Sequence, residues 1–170
     1  MGVIINQSFK NMVTTYLGFG IGAINTLFLF TYFLEKEYYG LVSYLLSAAN
    51  LIWPLMAFGV HNTLVKFYSS YKTKPDRDKL LNLVLFLPVI VALVLGTIGY
   101  LGYTYLLNYF EAGNELVQPY IWLIYVIALA TAYFEIFFAW SKVNYKSVFG
   151  NFMKEVFHRL CITLLLLAVY

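Results

Sequence analysis

The chain has 170 residues, of which 62% are hydrophobic, 20% are aromatic and 11% are charged. Since about a quarter of the residues of a soluble domain are charged, this composition excludes an ordinary soluble globular protein. The formal net charge is only +3, and the single cysteine, Cys161, has no second cysteine with which to form an internal disulfide.

Four long apolar runs follow one another along the sequence, separated by short charged connectors. Each run reaches the ~20 residues that a helix needs to cross a bilayer, and none alternates as a membrane β-strand does. A last apolar run is too short to finish a fifth crossing. We therefore predict an all-α, multi-spanning transmembrane helix bundle of four complete helices and the start of a fifth. The predicted helices cover residues 11–34, 38–65, 80–110, 116–141 and, incompletely, 156–170.

Positive side chains are distributed unevenly over the connectors. Lysine and arginine remain on the cytoplasmic side of a membrane, whereas acidic residues contribute little to orientation. With the N-terminus inside, ten of the eleven lysines and arginines fall on the cytoplasmic side, and Lys36 is the exception. We therefore predict a cytoplasmic N-terminus. Topology and anionic inner-leaflet lipid then explain the positive net charge without a nucleic-acid partner.

No connector is long enough to hold a soluble domain, so residues 1–170 are interpreted as one membrane region. The first apolar run is too long for a cleaved signal peptide, and we expect it to remain as the first helix. Glycine-rich phosphate loops, zinc-ligand spacings and a nucleophile elbow are missing from the sequence. We therefore predict no enzymatic activity, no cofactor and no metal site.

The first predicted helix carries a stripe of polar and small residues spaced three or four positions apart, which places them on one face. One interpretation is helix packing, because Gly18-x-x-x-Gly22 lets helix backbones approach and polar side chains join helices by hydrogen bonds. The alternative is that the stripe lines a polar cavity. It consists of Asn11, Thr15, Gly18, Gly22 and Asn25.

The second predicted helix carries a similar stripe, which runs ~27 Å and covers most of the hydrocarbon depth. Because such a stripe is costly against lipid, we expect it to face protein or a water-filled cavity. A cavity is favoured here, since Asn50 and His61 are bulky for a tight crossing and Pro54 frees a backbone carbonyl. The stripe consists of Ser43, Ser47, Asn50, Pro54 and His61.

The third predicted helix has a stripe of small residues without a strongly polar side chain at its centre. Small residues allow close approach of helices in a membrane, so we predict that this face serves packing. The stripe consists of Pro88, Ala92, Gly96 and Gly99.

Glu135 is the most informative single residue, because it lies ~9 Å inside the predicted end of the fourth helix. A carboxylate at this depth is usually functional or paired. One hypothesis places it with His61, His158 and Arg159 in a partly cationic inner-leaflet site for an anionic head group. The alternative is a structural pair with Arg159 or Lys142. The candidates for a substrate cavity are Asn25, Ser47, Asn50, His61, Glu135 and Arg159.

The segment from Ile5 to Thr73 contains NQSFKNMVTTYLGFGIGAINTLF and then EYYGLVSYLLSAANLIWPLMAFGVHNTLVKFYSSYKT. This opening resembles bacterial polysaccharide flippases of the multidrug/oligosaccharidyl-lipid/polysaccharide superfamily. In that family, an uncharged first helix ends in a short outer turn, an E-Y-Y-G-L element opens the second helix, and a G-x-x-N-x-L-x-K-F-Y-like end leads into a basic inner loop. The corresponding elements here are Glu37–Leu41 and Gly59–Tyr68. The resemblance is one of opening pattern and includes no catalytic signature.

The resemblance implies a multi-pass protein of the bacterial cytoplasmic (inner) membrane, with twelve to fourteen helices in two lobes around a central cavity. It implies that the protein flips polyprenyl-pyrophosphate-linked oligosaccharide between leaflets. This chain would then be the N-terminal part of the first lobe, with membrane lipid and the remaining C-terminal helices as partners. A multidrug exporter of the same superfamily is the alternative that Glu135 supports. If the reading frame stops after Tyr170, a small membrane scaffold protein is the alternative.

Overall fold

The structure, a computed structural model, describes residues 2–102, 105 and 116–169, with side chains for all of these except residues 3, 4 and 169. Over this part of the chain the protein is helical apart from short turns, and it contains no strand. Four helices are long and apolar enough to cross a membrane, which confirms the all-α class and indicates a membrane protein. These spans are Ile5–Phe33, Lys36–Ala57, Lys74–Leu101 and Gln118–Val143.

The first helix begins at Gly2, earlier than the apolar run that predicts it. It is α-helical over Gly2–Ile24, makes a π turn over Asn25–Leu29 and finishes as Phe30–Phe33. In the π turn, the backbone N–H of Phe30 donates to the carbonyl of Asn25, five residues earlier. A π turn contains more residues than an α turn. The side chains that follow it therefore point in different directions around the helix axis than they would in a regular α-helix.

The second helix spans Lys36–Ala57, and a separate short helix follows at Val60–Phe67. The sequence predicts one helix over 38–65, but Phe58 (φ 47°) and Gly59 (φ 70°) adopt left-handed backbone conformations that end the first segment. Glycine adopts this conformation freely because it has no Cβ, whereas a phenylalanine is strained there. The regular helical spacing that would place Pro54 and His61 on one stripe is therefore interrupted.

The third helix spans Lys74–Leu101 and the fourth spans Ile121–Val143, preceded by one 3₁₀ turn at Gln118–Tyr120. The third begins before the predicted boundary at residue 80, because Thr73 caps it by accepting a hydrogen bond from the backbone of Asp76 and a proline follows at the first turn. Most of the predicted continuation from 103 to 110 lies outside the described residues.

The fifth helix also begins earlier than the sequence predicts. Helical backbone runs from Ser147 to Val169 as Ser147–Phe152, a π turn Met153–Phe157 and His158–Val169. The hydropathy pattern predicts the start at 156, because the first turns of the observed helix carry asparagine, lysine and glutamate, which are not apolar. Arg159, which the sequence places at the opening of this helix, therefore lies about three turns inside it.

The chain divides into two compact units, one made of Met1–Gly40 with Asn144–Tyr170 and the other of Leu41–Val143. The second unit has an apolar core around the fourth helix. The first half of that helix packs on the second helix through alanines, with Ala49, Ala128 and Ala132 at most 1% exposed. Its second half packs on the short helix and the third helix. This part of the core consists of Val60, Leu64, Leu80, Val84, Ile136 and Ala139.

Two tyrosines of the fourth helix join it to the third helix. The hydroxyl of Tyr125 donates to the carbonyl of Ala92 at 2.7 Å, and that of Tyr133 donates to the carbonyl of Leu85 at 2.8 Å. Gly96 leaves room for the first contact, since a Cβ there would lie 2.9 Å from the Tyr125 hydroxyl. Together with buried Pro88 and Ala92, this glycine has the packing role that its stripe predicts, whereas a Cβ on Gly99 would meet no atom within 4 Å.

Candidate functional site

The first unit contains a seam of polar contacts between the first and fifth helices, which we call the polar seam. At its beginning, the side-chain amide of Gln7 donates to the carbonyl of Tyr145 at 2.7 Å. One turn further, the Asn11 amide donates to the hydroxyl of Ser147 at 3.2 Å. The Asn151 amide then donates to the carbonyl of Asn11 and to the hydroxyl of Thr15, both at 3.1 Å. Amide and hydroxyl groups therefore join the helices turn by turn.

An ionic group occupies the centre of the polar seam. The guanidinium of Arg159 donates to the carbonyl of Gly18 at 2.5 Å and lies 3.6 Å from the carboxylate of Glu155. Both charged side chains are about three-quarters buried, at 26% and 23% exposure. A charge packed against an apolar span is costly unless it is paired, and this geometry supplies both an opposite charge and a backbone acceptor.

The two glycines of the first helix make this close approach possible. A Cβ on Gly18 would overlap the backbone carbonyl of Glu155, and a Cβ on Gly22 would overlap the guanidinium of Arg159. Gly20, on another face of the same helix, has no atom within 4 Å of its Cβ position. The Gly18-x-x-x-Gly22 pattern therefore serves helix packing, which is the first of the two interpretations of this stripe.

The polar seam ends at Asn25, whose side chain is only 3% exposed. Its amide donates to the carbonyl of Arg159 at 2.9 Å, and its side-chain oxygen accepts a hydrogen bond from the hydroxyl of Thr163 at 2.8 Å. The same hydroxyl also lies 2.9 Å from the carbonyl of Arg159. Asn25 opens one π turn and Glu155 lies in the other, so both helices are locally widened beside the ionic group.

The contacts advance along both helices in the same direction, from Gln7 with Tyr145 to Asn25 with Thr163. The first and fifth helices are therefore parallel. If the first and fifth helices both cross a membrane, an even number of crossings must lie between their starting ends. Four crossings, one by each of the apolar spans, satisfy this condition.

The structure brings together two of the six cavity candidates, Asn25 and Arg159, and both belong to the polar seam. Ser47 and Asn50 are exposed residues of the second helix, whose opposite face carries buried Leu45 and Ala49. That Ser47 and Asn50 line a cavity stays a prediction.

The two remaining candidates lie in the second unit. His61 packs against the indole of Trp53 with ring centroids 5.4 Å apart. Glu135 is half-buried on the fourth helix, one residue before Ile136 of the apolar core. Lys142, the alternative partner for Glu135, lies over an aromatic ring of its own helix. Its ammonium is 3.9 Å from the ring centroid of Phe138.

The sequence interpretation missed the fifth-helix side of the polar seam. The signal was present as polar residues at strict intervals of four, which lie close to one another on a helical face. Hydropathy does not reveal it, because the hydropathy pattern predicts the start of the helix at 156, after the first part of this stripe. The stripe consists of Ser147, Asn151, Glu155, Arg159 and Thr163.

Comparison of this chain with known protein families, curated proteins and solved structures found no match.

Proposed function

We propose that this chain is part of a transporter that flips lipid-linked oligosaccharide across the bacterial cytoplasmic membrane. The observation that carries the transporter class is an ionisable side chain within a long membrane-type helix. Glu135 lies half-buried on the fourth helix, in the span Gln118–Val143. Such groups are expensive in lipid and commonly belong to substrate or ion pathways.

The identity of the substrate rests on the opening segment 5–73, which resembles polysaccharide flippases. A flippase of this kind shelters a sugar-phosphate head group in a hydrated cavity while the polyprenyl tail remains in lipid. Rocking of two lobes about the cavity then exposes the head group to the other leaflet. In this proposal, the protein has no enzymatic role, and further helices supply the second lobe.

The contacts divide the cavity candidates into two groups. Arg159 already donates to Gly18 and pairs with Glu155, while both ends of the Asn25 amide have partners on the fifth helix. We therefore assign Asn25 and Arg159 to the framework rather than to the cavity. The residues left for contact with a head group are Ser47, Asn50, His61 and Glu135.

A multidrug exporter of the same superfamily is the second candidate, and Glu135 is the observation that favours it. A carboxylate in the membrane is suited to coupling proton or cation movement to export, whereas a phosphate-bearing head group calls for cationic neighbours.

The proposal is tested with the protein from the entire reading frame in proteoliposomes that contain polyprenyl-pyrophosphate-linked oligosaccharide. Transfer is measured as the fraction of glycan that becomes accessible to a membrane-impermeant glycosidase. We expect transfer by the wild type and its loss in Glu135→Gln at unchanged protein amount. Glu37→Gln is the matched control, because it makes the same change on an exposed side chain in the first turn of the second helix and should transfer normally.

The outcomes separate the alternatives. Extrusion of a cationic dye without glycan transfer would replace the flippase by the exporter. Absence of both activities in a correctly folded protein would overturn the transporter proposal and leave the scaffold alternative. Normal glycan transfer by Glu135→Gln would keep the flippase but make Glu135 a structural residue.

A further inference from the structure

A groove lies within the first unit where the first helix approaches the start of the fifth helix. Its volume is about 970 Å³, and it is open to the surroundings. One wall carries Gln7 and Lys10, and the other carries Tyr145, Lys146, Phe149 and Phe152. It includes the Gln7–Tyr145 contact that begins the polar seam, and it does not include Arg159 or Asn25. We call it the lysine groove.

The lysine groove combines two chemistries. Lys10 and Lys146 provide positive charge, and none of the residues that line the groove, all within the described chain, is acidic. Phe149 and Phe152 provide an exposed apolar wall, with 62% and 41% exposure. A ligand that satisfies both walls carries a negative group beside an apolar chain, whereas a free anion would leave the aromatic wall uncovered.

The two lysines are held on walls that are tied to one another. The side chain of Gln7, one turn before Lys10, donates to the carbonyl of Tyr145, which directly precedes Lys146. Tyr145 has a left-handed backbone conformation (φ 57°), which is unfavourable for a tyrosine, and this hydrogen bond helps to hold it. The turn therefore presents Lys146 on the same groove as Lys10 in a defined arrangement.

The position of the groove fits the boundary of a membrane. Lys10 lies near the beginning of the first apolar span, Ile5–Phe33, and Lys146 follows the end of the fourth span, Gln118–Val143. Both lysines belong to the side that the distribution of positive charge predicts to be cytoplasmic. Basic pockets between transmembrane helices on this side commonly receive the head groups of anionic lipids.

We propose that the lysine groove binds an anionic glycerophospholipid of the inner leaflet. Lys10 and Lys146 hold the phosphate of the head group, and Phe149 and Phe152 contact its acyl chains. This site lies at the beginning of the polar seam and does not include the Arg159–Glu155 pair, and the proposal does not depend on which substrate the protein transports.

The experiment reconstitutes the full chain into vesicles of phosphatidylcholine and phosphatidylglycerol in equal amounts. Native mass spectrometry measures the ratio of the two lipids retained after detergent extraction. We expect the wild type to retain phosphatidylglycerol preferentially and Lys10→Gln/Lys146→Gln to reduce that preference about tenfold or more, from the effect of two lysines near a lipid surface. The matched control, Lys72→Gln/Lys74→Gln, removes the same charge from the residues around the start of the third helix and should retain the preference.

Equal retention of both lipids by the wild type would overturn the proposal. An equal loss in the groove variant and the control would also overturn it, because general surface charge would then explain the preference. Inorganic phosphate is added as a competitor to distinguish the source of the anion. Two results together would indicate a free-anion site and contradict the lipid assignment. Inorganic phosphate would displace the bound lipid, and Phe149→Ala/Phe152→Ala would retain phosphatidylglycerol as well as the wild type does.

A second measurement uses only the wild type, so it does not depend on the folding of a variant. Phosphatidylglycerol with a photoactivatable acyl chain is incorporated into the same vesicles, and the labelled peptides are mapped by mass spectrometry. We expect the stretch 145–152 to be labelled more strongly than segments with exposed aromatic residues elsewhere in the protein. Labelling distributed evenly over the lipid-facing helices would refute a defined site.

Discussion

The two units hold their helices together by different means. In the first unit, the helices meet through glycines, amides, hydroxyls and the Arg159–Glu155 pair. In the second, they meet through buried alanines and branched aliphatic side chains, with two tyrosine hydrogen bonds to backbone carbonyls. Helix association in lipid depends on close packing and hydrogen bonds, because lipid tails are as apolar as the side chains. This chain therefore uses hydrogen bonds with close glycine contacts in one unit and apolar packing in the other.

The difference has consequences for specificity. An alanine interface tolerates small sliding movements, since apolar contacts are not directional. In the polar seam, each donor must meet its own acceptor, and a shift of one residue leaves amides and charges without partners in a medium that supplies none. We therefore expect substitutions in the polar seam to be more damaging than equivalent substitutions in the apolar core.

The largest effect is expected from Arg159→Gln, which leaves Glu155 without its cationic partner in a largely buried position. The expected loss in the free energy of unfolding is about 2–4 kcal/mol, measured by SDS titration of the protein in mixed micelles. The double variant Glu155→Gln/Arg159→Gln removes both charges and should recover about 1 kcal/mol or more. A double variant as unstable as the single variant would show that the ion pair is not the cause.

The next largest loss of stability is expected from substitutions that block the close approach of the first and fifth helices. Gly18→Ala should lower the free energy of unfolding by about 1–3 kcal/mol, because the new methyl group meets a backbone carbonyl that cannot move independently. Gly22→Ala should cost less, since its methyl meets the flexible end of Arg159. Gly20→Ala is the control and should be neutral or up to about 1 kcal/mol stabilising. Equal effects at Gly18 and Gly20 would contradict the packing geometry.

A pair of hydroxyl deletions compares the two units directly. Thr163→Val removes the donor to the nearly buried Asn25 oxygen, so we expect a loss of about 1 kcal/mol in the free energy of unfolding. Tyr125→Phe should cost about 0.5 kcal/mol, because the Ala92 carbonyl keeps its partner within the helix. The same SDS titration measures both. A larger effect for Tyr125→Phe would reverse the proposed ranking of the units.

The smallest effect is expected at the helix break in the second unit. Phe58→Gly should raise the free energy of unfolding by up to about 1 kcal/mol, because glycine adopts the left-handed conformation without strain. Phe58→Ala serves as the control, since it removes the exposed ring but retains the Cβ. Stabilisation by alanine as large as that by glycine would assign the effect to the ring instead of to the backbone.

Much of the fold was predictable because it depends on local hydropathy. Apolar runs of sufficient length identified the four spans that the structure contains. The helix ends were less predictable, since hydropathy marks where lipid contact begins and backbone hydrogen bonding continues into polar sequence. For this reason the first and fifth helices begin earlier than predicted. The break at Phe58–Gly59 depends on two backbone dihedral angles, which a pattern of apolar residues does not report.

The candidate site was predictable only in part. Gly18, Gly22 and Asn25 were recognised as one face, and the structure places all three against the fifth helix. Their partners were not recognised, because the register of one helix against another depends on contacts between residues more than 130 positions apart in sequence.

The sequence by itself determined that this protein is helical and membrane-like, because length and hydropathy are properties of each segment alone. It also placed the small and polar residues of the first helix on one face, which follows from helical periodicity. Only the tertiary structure decided that this face meets the fifth helix in parallel, that Arg159 is held by Gly18 and Glu155, and that Lys10 and Lys146 share a groove. These arrangements depend on shape complementarity and hydrogen-bond partners between distant segments, and neither is a property of a segment alone.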